Sequence, residues 1–212
     1  DFPILGRKLA GDVPLVYLDS ANTSHKPRQV IDAIADHYAL HNANVARAMH
    51  QLGAEASEAF DTGRSKVADF IGSARTEEVV FTKNASEALN LIARVLGDAR
   101  EIEGRGPLGP GDEIVISRME HHSNIVPWQL LCERTGATLR WYEVTDDGRL
   151  DLDSIELSER TRVVAVTWVS NMLGTINPVA QIVQRAKSVG ALTVIDGSQS
   201  VPHMPVHVRD PG

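Results

Sequence analysis

Apolar residues follow one rhythm up to about residue 71 and another from Glu78 onward. Near the start, residues 15–18 (LVYL) form a short apolar run closed by Asp19 and Ser20, which predicts a brief strand or an extended arm. Pro27 suits the first position of a helix, and Ile31, Ile34, Ala35 and Tyr38 follow at helical spacing. Residues 42–52 have no clean period and read as a loop. A second helix is predicted over 54–71, with Ala56, Ala59, Phe60, Gly63, Val67, Phe70 and Ile71 on one face.

From Glu78 short apolar runs alternate with helical patterns. Strands are predicted at 78–82 (EVVFT), 113–117 (EIVIS), 138–144 (TLRWYEV), 163–169 (VVAVTWV) and 192–195. Helices are predicted at 85–96, 125–134 and 178–189, the middle one stopped by Gly136. Residues 97–111, rich in Gly and Pro, read as a surface loop. The almost uniformly apolar run at 163–169 is what a strand buried on both faces requires. The pattern as a whole predicts an α/β fold, a mostly parallel sheet with helices on both faces. Such sheets bind ligands at the carboxyl ends of their strands.

Four polar clusters stand at predicted strand ends. Lys83-Asn84-Ala85-Ser86-Glu87 joins a strand end to a helix start, where free backbone N–H groups favour a phosphate, small residues let it approach and Ser86 adds a hydroxyl. The same residues also read as a plain cap through Asn84 or Ser86. Glu120-His121-His122-Ser123-Asn124 comes just after EIVIS; the histidines lack a third ligand at zinc spacing, whereas a flat imidazole can stack on an aromatic ligand. Asn171 after Ser170 offers an amide to a ligand oxygen, or an Asx turn leading into Gly174. Asp196, at the end of a buried strand and before Gly197-Ser198-Gln199, could face a pyridine nitrogen and keep it protonated, with Gln199 reaching a ring oxygen; it could equally cap the next helical turn. Together the clusters describe a pocket for a phosphorylated pyridine.

The formal net charge of −7 gives no electrostatic reason to bind nucleic acid or an anionic membrane. The single cysteine, Cys132, fits a reducing compartment, and no apolar run reaches the length of a membrane span. A cytoplasmic location is expected.

The chain resembles the class V, fold type I enzymes that use pyridoxal 5'-phosphate (PLP), and most closely the cysteine desulfurases of the Suf type. The resemblance rests on YLDSANTSHKP (17–27), VFTKNASEALNL (80–91), MEHHSNIVPWQLL (119–131), VSNMLGTINPV (169–179) and DGSQSVPHMPV (196–206). It implies that Ala85 and Ser86 seat the cofactor phosphate, and that His121 stacks on the ring and aids proton transfer. It implies that Asp196 partners the pyridine nitrogen, with Gln199 and Asn171 near the ring hydroxyl and the substrate. It also implies an N-terminal arm at 1–25, a cofactor-binding large domain at 26–212 that is incomplete at its C-terminal end, a homodimer, and L-cysteine or a related amino acid as substrate. The family reaction takes cysteine to alanine and leaves sulfur as an enzyme-bound persulfide for iron–sulfur cluster assembly, passed to a sulfur-acceptor protein.

Some positions depart from the family pattern. The loop that usually reads VHRGxH is here Val45-Ala46-Arg47-Ala48-Met49-His50, and Asn22 stands where a small residue is usual. The lysine that anchors PLP covalently in relatives comes after a later strand in a Ser/Thr-Gly-His-Lys context absent from these 212 residues, as are the nucleophilic cysteine and substrate-binding arginine. Lys8, Lys26, Lys66, Lys83 and Lys187 have other surroundings, and Cys132, between leucine-rich neighbours in a helix, reads as a packed thiol. The chain is therefore expected to behave as an N-terminal portion with little activity alone. Other class V chemistries (selenocysteine lyase, C–S lyase or epimerase) and an inactive dimerising module remain alternatives.

Overall fold

A computed structural model describes residues 1–45 and 49–209. The departures at Ala46 and Ala48 lie outside the described residues. The chain divides into two units, Asp1–Asp69 and Phe70–Gly212.

In the first unit, residues 15–18 form no strand; the Leu15 amide donates to the Arg7 carbonyl at 3.2 Å beside an isolated bridge between Lys8 and Pro14. Pro27, at φ −67°, is the N-cap of α1 (Arg28–Asp36), so the helix starts one residue later than predicted. A wider turn, His37–His41, continues α1. The next helix, α2 (Gln51–Phe70), starts three residues earlier than predicted, with Leu52 one turn before Ala56. Asn22, the unusual residue of the arm, donates to Asp19 Oδ1 at 2.9 Å.

The second unit is built on a five-stranded sheet in the order β3-β2-β1-β4-β5. Its strands are β1 (Glu113–Ser117), β2 (Thr138–Val144), β3 (Leu150–Asp151), β4 (Thr161–Thr167) and β5 (Leu192–Asp196). The pairs β1–β2, β1–β4 and β4–β5 are parallel; only β3 runs antiparallel. Helices α3 (Ala85–Asp98) and α4 (Val126–Thr135) cover one face, where Leu89, Ala93, Trp128 and Leu131 pack on Ile114, Ile116, Val163 and Ala165. On the other face α5 (Val179–Ser188) sets Ile182 and Ala186 against Val115, Val164 and Val166. Every residue of β1 and β4 is buried, so each strand alternates its apolar side chains between two cores. Gly136 ends α4 at φ 79°, a left-handed cap that leaves its amide bonded to the Cys132 carbonyl at 2.8 Å.

Two local expectations are corrected, and one short strand was not expected. Residues 78–82 form no strand: Thr76–Glu78 is a 3₁₀ turn, and 79–82 joins no ladder among the described residues. A β-rich run becomes a strand only with a ladder partner, and Val80 is left 68% exposed. The strand predicted at 163–169 is displaced to Thr161–Thr167. Val169 instead bridges back to Ile176 across the adjoining turn. The two-residue β3 is too short to show any period.

Candidate functional site

Because β1, β4 and β5 are parallel neighbours, their carboxyl ends lie along one edge of the sheet. A buried carboxyl group ties two of these ends together. Ser117, the last residue of β1, donates its hydroxyl to Glu120 Oε1, and the amide of Thr167, the last residue of β4, donates to the same oxygen at 2.9 Å. Asn124 Nδ2 donates to Oε2 at 2.7 Å. The Trp128 indole, which can only donate, gives its N–H to Asn124 Oδ1 at 2.8 Å and so fixes which way the Asn124 amide faces. Burial pushes the Glu120 carboxyl up to about 7, outweighing these donors, and the nearby charge of Asp196 acts in the same direction.

This network holds the turn that carries His121. The 3₁₀ turn His122–Asn124 is capped by the His121 ring, whose Nδ1 accepts the Ser123 amide at 3.2 Å. A ring nitrogen that accepts an amide carries no proton in the neutral ring, so the N–H is on Nε2. The Ser123 hydroxyl lies 3.0 Å from the same Nδ1 and 2.6 Å from the Ser86 hydroxyl. His121 and Ser86, 35 positions apart, are thereby joined through one side chain. The His122 ring sits 6.1 Å from that of His121.

Ser86 belongs to the first turn of α3. Asn84 is the N-cap and accepts the Glu87 amide at 2.9 Å, so the capping alternative is realised. It satisfies only that amide. Those of Ala85 and Ser86, at the first two helical positions, have no intrahelical acceptor, and both side chains are exposed. Lys83 is exposed and pairs with Glu87 at 3.7 Å.

Asp196 ends β5 opposite Thr167 and is 7% exposed. Its Oδ1 accepts both the amide and the hydroxyl of Ser198, at 2.9 and 2.6 Å. No donor among the described residues reaches Oδ2. Gln199 is half-buried in the adjoining turn. Asn171 is exposed and forms no Asx turn: the buried Ser170 hydroxyl accepts the Met172 and Leu173 amides instead. The structure thus joins Ser86 to His121 and sets Asp196 beside the Glu120 network, while the Asn171 side chain is bonded to neither. Cys132 is packed among the α3–α4 core residues, and burial pushes its thiol up to about 11.

Sequence reasoning assigned no role to Glu120 or Ser123. A charged residue three positions past the strand EIVIS was the available signal for Glu120, since such a group must be paired if buried. For Ser123 no local signal exists, because its partner lies on another element.

A family model for aminotransferase class-V matches residues 16–212. The chain belongs to the aminotransferase class-V family. Among relatives of this class-V chain, a Streptomyces coelicolor protein named "Probable cysteine desulfurase" is 55% identical over 211 residues, covering 99% of this chain and 50% of that protein. A Haloferax volcanii "Cysteine desulfurase" is 47% identical over 224 residues, covering 99% of this chain and 51% of that protein. The solved apo structure of a cysteine desulfurase from Thermococcus onnurineus NA1 aligns with a TM-score of 0.85 at 41% identity, over 92% of this chain and 47% of that one. The class-V chain spans about half the length of the curated relatives it matches. No described helix is long and apolar enough to cross a membrane.

Proposed function

We propose that this class-V chain binds PLP at the carboxyl edge of its sheet and serves a cysteine desulfurase, which converts L-cysteine to alanine and hands sulfur to an acceptor thiol. The observation that carries the reading is the hydroxyl link between Ser86 and His121, which brings an anion-binding helix start within reach of a flat ring. The residues fit the cofactor on two further counts. The amides of Ala85 and Ser86 lack intrahelical acceptors, and Asp196 keeps one carboxylate oxygen without a donor among the described residues. Curated relatives at 47–55% identity carry the cysteine desulfurase name.

In this reading Ala85 and Ser86 hold the phosphate. His121 covers one ring face and, with its N–H on Nε2, can hold or pass a proton. Asp196 keeps the pyridine nitrogen protonated, and Gln199 and Asn171 lie toward the ring oxygen and the substrate. When bound, PLP supplies an electron-withdrawing ring that acidifies the α-carbon of an attached amino acid. We further infer a cytoplasmic homodimer with a protein sulfur acceptor, an arm at 1–25 and a cofactor domain from residue 26.

Adding PLP to the chain and recording its absorbance bands tests the cofactor half. Comparing how L-cysteine, L-selenocysteine and L-alanine perturb those bands tests the substrate half. Altered bands that cysteine perturbs at lower concentration than the other two support the reading. Bands identical to free PLP overturn the first half, and a stronger response to selenocysteine or alanine overturns the second.

A further inference from the structure

The Ser123 hydroxyl has one hydrogen and two neighbours that can take it, Nδ1 of His121 at 3.0 Å and Oγ of Ser86 at 2.6 Å. We infer that Ser123 is a positioning residue that couples occupancy of the phosphate seat at Ser86 to the hydrogen bond on His121 Nδ1. The inference rests on the phosphate seat proposed above and adds to it a route by which the ring residue senses that seat.

Counting hydrogens sets the direction of the coupling. With no anion present, Ser86 can donate to Ser123, leaving the Ser123 hydrogen for Nδ1. The unprotonated oxygens of a phosphate dianion at the start of α3 can only accept hydrogen bonds, so they draw the Ser86 hydrogen to themselves. Ser86 Oγ then becomes an acceptor, and the Ser123 hydrogen turns toward it and away from the imidazole. Both hydroxyls reverse together, no covalent bond changes, and Nδ1 exchanges two donors for one. The remaining donor, the Ser123 amide at 3.2 Å, is common to both states and cancels in the comparison.

The Ser123 hydroxyl is held in position for this. Its turn is fixed by the Asn124 amide donating to the His121 carbonyl at 2.7 Å and by the buried Trp128–Asn124–Glu120 chain beneath. The other ionisable groups around His121 do not compete for Nδ1. His122 is 6.1 Å away ring to ring, the Glu120 carboxyl is turned into the core, Asp196 bonds to Ser198, and on α3 Glu87 pairs with Lys83. Threonine, which also carries a hydroxyl, can replace Ser123 in this role; alanine cannot.

The test is nitrogen-15 NMR of the histidine rings in the chain without cofactor, at alkaline pH, titrated with inorganic phosphate. The expected result is that phosphate moves the His121 Nδ1 resonance downfield, toward that of an unbonded ring nitrogen. In Ser123→Ala the response falls to less than half, and in Ser123→Thr it is retained. Backbone amide shifts of Ala85 and Ser86 report binding itself in every variant. If those amides respond in all three proteins while Nδ1 responds equally in wild type and Ser123→Ala, the coupling is wrong and the seat stands. If the amides do not respond at all, the seat is overturned and the coupling with it.

Discussion

The Glu120 carboxylate accepts the amide of Thr167 at 2.9 Å, joining the turn after β1 to the last residue of β4 across 47 positions of sequence. That bond sets the depth of the turn that presents His121, so the acid lies under the candidate site as well as in the core.

Its titration has a definite sign. Glu120 is raised from 4.5 to about 7 in the fold by burial, so its contribution to stability is fully present below pH 4.5 and is lost as pH rises through about 7. The loss from this group is about 3 kcal/mol over that window. Glu120→Gln does not titrate, and its added N–H₂ opposes one of the donors, so it is less stable than wild type at low pH. Urea denaturation at a series of pH values is expected to show the gap between the two narrowing as pH rises from 4.5 to 7. A constant gap contradicts the assignment.

The run 79–82 and the centre of the sheet differ sharply in what a methyl group contributes. Val80 is 68% exposed and unpaired, so Val80→Ala is expected to change stability by no more than about 0.5 kcal/mol. Val164 is fully buried in β4, and Val164→Ala is expected to cost about 2 kcal/mol. Equal costs by denaturant midpoint would show that 78–82 is a packed strand after all.

Cys132 is expected to be inert in the folded chain. A thiol pushed up to about 11 by burial has little thiolate at pH 8, and alkylation is expected to run about a hundredfold or more slower than for free cysteine, becoming rapid in denaturant. Fast alkylation of the native chain would mean that the thiol is open to solvent.

These contrasts show which parts of the molecule the sequence discloses. The buried strand 113–117 is legible because its apolar centre fits a position covered on both faces, the half-buried 138–144 is legible from its alternation, and Gly136 is legible as a stop because only the left-handed region ends the helix so tightly. The run at 78–82 has the same composition as a strand but lacks a ladder partner, a property of the sheet rather than of the segment. The same division holds at the site. His121, Ser86 and Asp196 stand out as polar groups at element ends, each visible alone. The role of Ser123 lies in a bond to Ser86 on another element, which no local pattern encodes, and for Glu120 the sequence shows a charge that needs a partner but not that Thr167 supplies one.

Asp196→Asn keeps an oxygen for the Ser198 donors while removing the charge proposed to face a pyridine nitrogen, and Ser86→Ala removes the hydroxyl at the proposed phosphate seat. Calorimetric titration of PLP into the wild-type chain and these two variants tests the central claim most directly. The account predicts one site per chain, weakened about tenfold by each substitution. Absence of binding to wild type, or binding that neither substitution weakens, would contradict it.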